Sequence, residues 1–450
     1  MKTLSLFAVV LAGMTSVAAA PLKDRANQCP SEARERIVAM PTQRGPLRLL
    51  STYCLEFGSN SFGVSDPILS PDGRLVAQWH RGSPAPVEIV ALSRSGRTSV
   101  PNRVGFRNFA PMGDSFGTSP DALAWRRDSR ALWTVRQDTT KLGGWSVSGL
   151  VPISIDTQGT MRDLPPLRHK AGPLDGLIWA GNDGLAIAQF GTRGQYYRPG
   201  HKDRDPTLAM VDTAHGKILA SFQLNNVPSL RARIKADSLI VGGTTATIMP
   251  DGRMRAVVRF SRWVDRHPGS GTSDKPKPGA WIIWTQGQPP KVWISQGSDA
   301  ADKPAILSPS GSTLLVIRSL QPDGMQISCR IPCPGPPPPP PTAVSGPVAE
   351  LIDVASRRTL WRNPAKAKQF WSQNARPAIS GDGRYALIDV PPDGDWAPIS
   401  LIDMRNGRIL QTISTSHTWS YPHRFGFTSD GRHVWVLFGN QLLIFSINDR

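Results

Sequence analysis

One short stretch, 69-LSPDGRLVAQW-79, returns along the chain as IMPDGRMRAVVRF, AISGDGRYALIDV and GFTSDGRHVWVLF. Each copy is an apolar dipeptide, a tight polar turn and a second apolar run. Pro fixes φ, Asp bonds to amides beyond it, and Gly accepts the left-handed conformation, so each stretch reads as a β-hairpin. Seven related turns occur, at Pro71-Asp72-Gly73, Arg127-Asp128-Ser129, Asn182-Asp183-Gly184, Pro250-Asp251-Gly252, Pro309-Ser310-Gly311, Gly381-Asp382-Gly383 and Ser429-Asp430-Gly431. Their spacing is irregular but stays near the length of a four-stranded unit with variable loops.

The segments between the turns complete that unit. A second strand follows each turn, as in Leu75–Trp79, Leu132–Val135, Leu185–Phe190 and Leu314–Ile317. A third follows a loop, as in Val87–Leu92, Leu208–Val211, Trp281–Trp284, Ala349–Val354 and Ile399–Met404. A more polar fourth closes the unit, as in Lys217–Phe222 and Arg408–Ile413. Four short antiparallel strands, repeated seven times, predict an all-β chain: a seven-bladed β-propeller of four-stranded antiparallel blades over residues 58–450. The last unit has only three strands before the chain ends. A segment within Leu47–Glu56 or Arg36–Met40, in the N-terminal stretch 21–57, is expected to supply the fourth and close the ring. Gly 41 and Pro 42 fit frequent turns, and most of the 14 Trp fall in β-like runs.

The hairpins Ser70–Arg74, Pro250–Arg253 and Asp382–Arg384 resemble the repeats of TolB-like (PD40, WD40-like) propeller proteins, which are similar to the propeller domain of prolyl-oligopeptidase-type peptidases. The resemblance covers roughly residues 60–448; the second and fifth turns, with Asp-Ser-Arg and Pro-Ser-Gly, depart from it. It implies a rigid platform that binds proteins or peptides in a cell envelope. A peptidase of that kind needs a further α/β-hydrolase domain and a Gly-x-Ser-x-Gly elbow. Gly271-Thr272-Ser273-Asp274-Lys275 lacks the final Gly, and no zinc-protease, Walker or dinucleotide motif occurs.

The first 20 residues, MKTLSLFAVVLAGMTSVAAA, read as a secretory signal peptide: one Lys, a short apolar run and a small-residue tail. Pro21 disfavours cleavage after Ala20, so cleavage is expected after Ala18 or Ala19. The run is too short to span a bilayer, and no later run reads as a transmembrane helix. The expected location is periplasmic or secreted. Export permits disulfides among Cys29, Cys54, Cys329 and Cys333. The pairing is open, and structural disulfides are preferred to a metal site. Neither a cofactor nor a metal is expected.

Net charge is +18, but the basic residues are scattered in sequence. A nucleic-acid partner is not expected. Attraction to an anionic envelope polymer or to lipid headgroups is the functional reading of the charge, and a generally basic surface is the simpler one.

Alternating strand directions put all the tight turns on one face. The connections between second and third strands emerge on the other, and these are long: 136–146, 191–206, 261–279, 319–347 with its polyproline run 336–341, and 391–398. Loops presented by a rigid scaffold carry function, and aromatic and Arg side chains are the usual anchors. The candidate binding residues are Tyr196, Tyr197, Arg198, His201, Trp263, Asp265, Arg266, His267 and Trp396. The polyproline run reads as a stiff spacer rather than a docking ligand. The leading expectation is an exported, non-catalytic propeller that binds a protein, peptide or envelope polymer. The alternative is a propeller hydrolase or lyase with His201, His267, His417 and His423 meeting Asp265 or Asp395 at the channel mouth.

Overall fold

The computed structural model describes residues 40–41, 45–54, 68–79, 87–92, 98–99, 123–137, 150–157, 160–172, 174–190, 207–223, 226–227, 239–262, 280–294, 305–317, 349–363, 377–389, 399–414, 422–438 and 441–448. Within them the chain forms antiparallel sheets and no long helix. The first three sheets begin with the hairpins Ile68–Leu69/Leu75–Trp79, Ala124–Trp125/Ala131–Gln137 and Leu174–Ala180/Leu185–Phe190. The next two begin with Leu239–Ile248/Met254–Arg262 and Ala305–Leu307/Thr313–Ile317. The sixth and seventh begin with Ala378–Ile379/Tyr385–Asp389 and Pro422–Phe427/His433–Phe438.

Six sheets are four-stranded antiparallel blades; the remaining one, the sixth, has five strands. The expectation of seven four-stranded blades is therefore corrected. Met40–Pro41 adds to the outer edge of Ile409–Ser414, with Met40 opposite Ser414. Pro lacks an amide donor and is tolerated on an edge strand. The seventh sheet takes its fourth strand from Leu47–Cys54, which pairs with Gln441–Ile447 from Leu47↔Ile447 to Cys54↔Gln441.

Strand periodicity explains the packing. Successive side chains of a strand point to opposite faces, so the second strand of each unit serves two neighbours. In the third sheet, Ala186, Ala188 and Phe190 join a core with Val135 of the second, while Ile187 joins one with Met254 and Trp284 of the fourth. Val257 of the fourth meets Leu314 and Val316 of the fifth. Leu315 and Ile317 meet Ala386 and Ile388 of the sixth. Leu387 meets Val434 and Val436 of the seventh. Trp435 and Leu437 then share a core with Val76 and Leu92 of the first sheet and Tyr53 of the N-terminal strand. Ala77 and Ile89 pack on Trp125 and Leu132 of the second.

The N-terminal strand is fixed between the sixth and seventh sheets by Gln411, which is 1% exposed. Its Oε1 accepts from the Leu47 amide at 2.7 Å, and its Nε2 donates to the Leu47 carbonyl at 3.4 Å. A Cβ on Gly45 would fall 2.3 Å from the same Oε1, so the approach requires glycine. Among the described residues, no helix is long and apolar enough to cross a membrane.

Gln411→Ala leaves the Leu47 amide buried without its partner. The expected loss is about 1–3 kcal/mol of stability, read by urea denaturation with an unchanged m-value. A midpoint equal to wild type would show that this clasp holds nothing.

Candidate functional site

The two ends of the sheets differ in kind. At one end each first strand turns tightly into the second, and the turns are built from short polar side chains. Ser70 Oγ donates to Asp72 Oδ1 at 2.6 Å and accepts from the Leu75 amide at 2.8 Å. Asp72 Oδ1 accepts from the Arg74 amide at 3.1 Å. Ser380 and Asp382 repeat this arrangement, as do Thr428 and Asp430. The Ser or Thr two residues before the Asp is therefore part of the device. Sequence reasoning stopped at Pro-Asp-Gly and missed it, although "LSPDG", "ISGDG" and "FTSDG" display it.

These turns also touch one another. The Asp72 amide donates to Ser129 Oγ at 3.0 Å. Ser129 takes the left-handed position that glycine fills in the other units, at φ 59°, and this bond to the next turn accounts for a hydroxyl there. Ser429 Oγ donates to the Pro71 carbonyl at 2.6 Å, tying the last unit to the first. Arg127 pairs with Asp183 at 2.8 Å, and Arg255 Nη1 donates to the Gly311 carbonyl at 2.8 Å.

The carboxylates at this end are engaged by their own turns. The Ser356 amide and hydroxyl hold the Asp353 carboxyl below the usual range. The Arg405 guanidinium does the same for Asp403, and that of Arg253 for Asp251. On the outside of the third sheet, burial and then Lys170 lower the pKa of His169. Its ring lies 5.3 Å from that of Phe190, and its Nε2 is 3.2 Å from Ser221 Oγ.

The candidates Tyr196, Tyr197, Arg198, His201, Trp263, Asp265, Arg266, His267 and Trp396 lie outside the described residues. So do Cys29, Cys329, Cys333 and the run 336–341. Cys54 ends the strand Leu47–Cys54. The described strands locate where two of the long connections attach. Segment 191–206 leaves at Phe190 and rejoins at Thr207, and these residues are opposite each other in the third sheet. Segment 263–279 leaves at Arg262 and rejoins at Ala280 in the fourth. Both sheets share one apolar core, so the two segments spring from adjacent blades at the same end. Among the described residues, two buried polar atoms without a hydrogen-bond partner lie here: Thr207 Oγ1, at the first rejoining point, in a residue 1% exposed, and Trp281 Nε1, one residue past the second, in a residue 4% exposed. Among the described residues, no group of three His, Cys, Asp or Glu side chains is placed to hold a metal ion.

No known family's sequence profile matches the chain, and no curated protein matches it. Among solved structures the chain is similar to the C-terminal WD40 domain of Sif2 (11% identity, TM-score 0.41, covering 90% of this chain and 99% of that one). It is also similar to the WD40 repeats of RRP9 (11% identity, TM-score 0.46, 92% and 100%). A third is the WD40 β-propeller domain of Doa1 (11% identity, TM-score 0.48, 89% and 97%).

The lowered carboxyl pKa values have a defined sign. Protons bind the unfolded chain first, so the stabilising effect of Asp353 and Asp403 is complete above the ordinary carboxylate pKa of about 3.9 and fades as pH falls below it. Asp353→Asn and Asp403→Asn are expected to melt below wild type at pH 7, with the gap narrowing toward pH 3. A gap independent of pH would contradict the assignment.

Proposed function

We propose that the chain is a non-catalytic seven-unit β-propeller, closed by Leu47–Cys54, that binds a peptide or protein segment on the end carrying the long connections. The observation that carries this reading is the contrast between the two ends. One end consists of short turns whose hydroxyls and carboxylates are engaged within the turns or between adjacent ones. At the other, segments 191–206 and 263–279 leave and re-enter adjacent blades, the first between the buried Phe190 and Thr207. Those segments contain Tyr196, Tyr197, Arg198, His201, Trp263, Asp265, Arg266 and His267, which are side chains suited to anchoring a partner. Trp396 belongs to the corresponding connection of the sixth unit. A rigid scaffold lowers the ordering cost of such a surface.

The unpartnered Thr207 Oγ1 and Trp281 Nε1 support the choice of these two connections. An unsatisfied buried donor or acceptor is costly, and its presence at or next to both rejoining points suits a surface completed by a ligand. The clusters shared between each pair of neighbouring sheets, including the first and the seventh, support the closed ring. The N-terminal pattern supports export, to the periplasm or outside the cell. The hairpin resemblance to TolB-like proteins fits a binding platform in that compartment.

Chemical crosslinking of the protein in its native envelope, followed by mass spectrometry, identifies the partner. Tyr197→Ala with Trp263→Ala is expected to leave the melting temperature within a few degrees of wild type and to abolish that crosslink. A double variant that retains the full crosslink yield would place the binding surface elsewhere.

A further inference from the structure

A second surface is carried by the outer strand of the fifth sheet, Thr359–Arg362, and by the turns at its two ends. The turn before it, 354–358, and the turn 404–408 in the sixth sheet have the same construction. Arg357 donates its amide to the Asp353 carbonyl at 2.8 Å, as Gly407 does to the Asp403 carbonyl at 2.9 Å. The Asp353 amide donates to the Arg358 carbonyl, as that of Asp403 does to the Arg408 carbonyl. This position is left-handed in each case. Gly407 takes it with φ 73°, and Gly216 takes it in the third sheet, just before Lys217 opposite Asp212, with φ 63°. The fifth sheet places Arg357 there, with φ 61°.

A side chain in this conformation strains the backbone, and glycine relieves it. At Ser129 the hydroxyl bonds to the neighbouring turn. Arg357 has no such compensation. Its guanidinium is exposed and forms no ion pair or hydrogen bond among the described residues, and the same holds for Arg358 and Arg408. The fold thus maintains a cation where its own stability favours glycine. Strain of this kind concentrates at functional positions.

The surroundings make the strip rigid and basic. Trp361 Nε1 donates to the Met404 carbonyl at 2.7 Å, and Asn363 Nδ2 to the Gly407 carbonyl at 2.8 Å. A Cβ on Gly407 would lie 2.5 Å from the Trp361 ring, so strand and turn are in close contact. The three nearby carboxylates are already engaged. Asp353 is held by Ser356, Asp403 by Arg405 at 3.0 Å, and the buried Glu350 lies 3.4 Å from Arg362. From Arg358 to Arg362 the chain, which bulges at Leu360, runs opposite Asp353 to Glu350, about 10 Å at about 3.3 Å per residue. Arg405 and Arg408 belong to the neighbouring turn 404–408, which Trp361 and Asn363 contact.

We propose that this strip, Arg357, Arg358, Arg362, Arg405 and Arg408, docks a linear anionic polysaccharide. Guanidinium groups match carboxylate and sulfate oxygens in bidentate geometry. Charges repeated along a strand suit a polymer with charges repeated along its length. A protein partner relies instead on a central apolar or aromatic anchor, and Leu360 is the large exposed apolar side chain that the strip offers. The strip shares no residue with the long connections, so its test uses different variants.

The test titrates the full-length protein with polygalacturonate at several salt concentrations. Arg357→Gly is expected to melt at or above the wild-type temperature and to bind several-fold more weakly. Arg358→Gln with Arg408→Gln is expected to lose at least tenfold. The log–log salt dependence should become shallower by about one for each contact removed. Tyr197→Ala with Trp263→Ala should bind the polymer as wild type does. The control is Arg48→Gln, an exposed arginine on the outer strand of the seventh sheet. Weakening by this change equal to that of Arg357→Gly would reduce the effect to net charge and overturn the proposal. So would unchanged affinity in the strip variants, or tighter strip-dependent binding of an acidic peptide or of DNA.

Discussion

Every sheet of this protein has two apolar faces, and neither can be left in water. In the seventh sheet Val434 and Val436 serve one neighbour while Trp435 and Leu437 serve the other. In the third, Ile187 faces one way and Ala186, Ala188 and Phe190 the other. Burying side chains of this size contributes roughly 1.5–3 kcal/mol each. A row of such sheets would leave two faces exposed at its ends. In the proposed closed ring these two faces meet in the core that Val76 and Leu92 share with Trp435, Leu437 and Tyr53. The N-terminal strand matters because it supplies Tyr53 to that core and Leu47 to the one between the sixth and seventh sheets.

The same constraint separates the two ends of the molecule. Tight turns keep neighbouring sheets close, and their hydroxyls and carboxylates are satisfied within the turns or between adjacent ones. The carboxylates there act as structural acceptors, and several guanidiniums remain directed to solvent. The connections between second and third strands, by contrast, vary in length and composition.

Much of the fold was legible in the sequence because a period of two and a turn of fixed chemistry both leave local marks. The strands Leu185–Phe190 and Thr313–Ile317 lie close to where the pattern placed them. Of the two segments weighed for the missing strand, Leu47–Glu56 and Arg36–Met40, the second is described only at Met40. Leu47–Cys54 completes the last sheet, while Met40–Pro41 widens the sixth. A two-residue strand containing proline has no alternation to read, so the five-stranded sheet was not legible. Nor was the left-handed Arg357, since Ser-Arg-Arg lacks the glycine that marks this position elsewhere. The basic strip was hidden because its residues come from two turns some 50 residues apart and meet only through the contacts of Trp361 and Asn363. The binding candidates in the long connections rest on residue type and attachment point, because no periodic pattern fixes the course of a loop.

In the proposed closed ring the sheets stand or fall together, with the first and last joined. Native-state hydrogen exchange tests it most directly, by comparing amides of Val434–Leu437 in the seventh sheet with those of Ala186–Ala188 in the third. Mutual coverage predicts that both sets exchange only through the same global opening, with equal protection and equal denaturant dependence. A seventh sheet that opens at lower free energy, while the third stays protected, would contradict it.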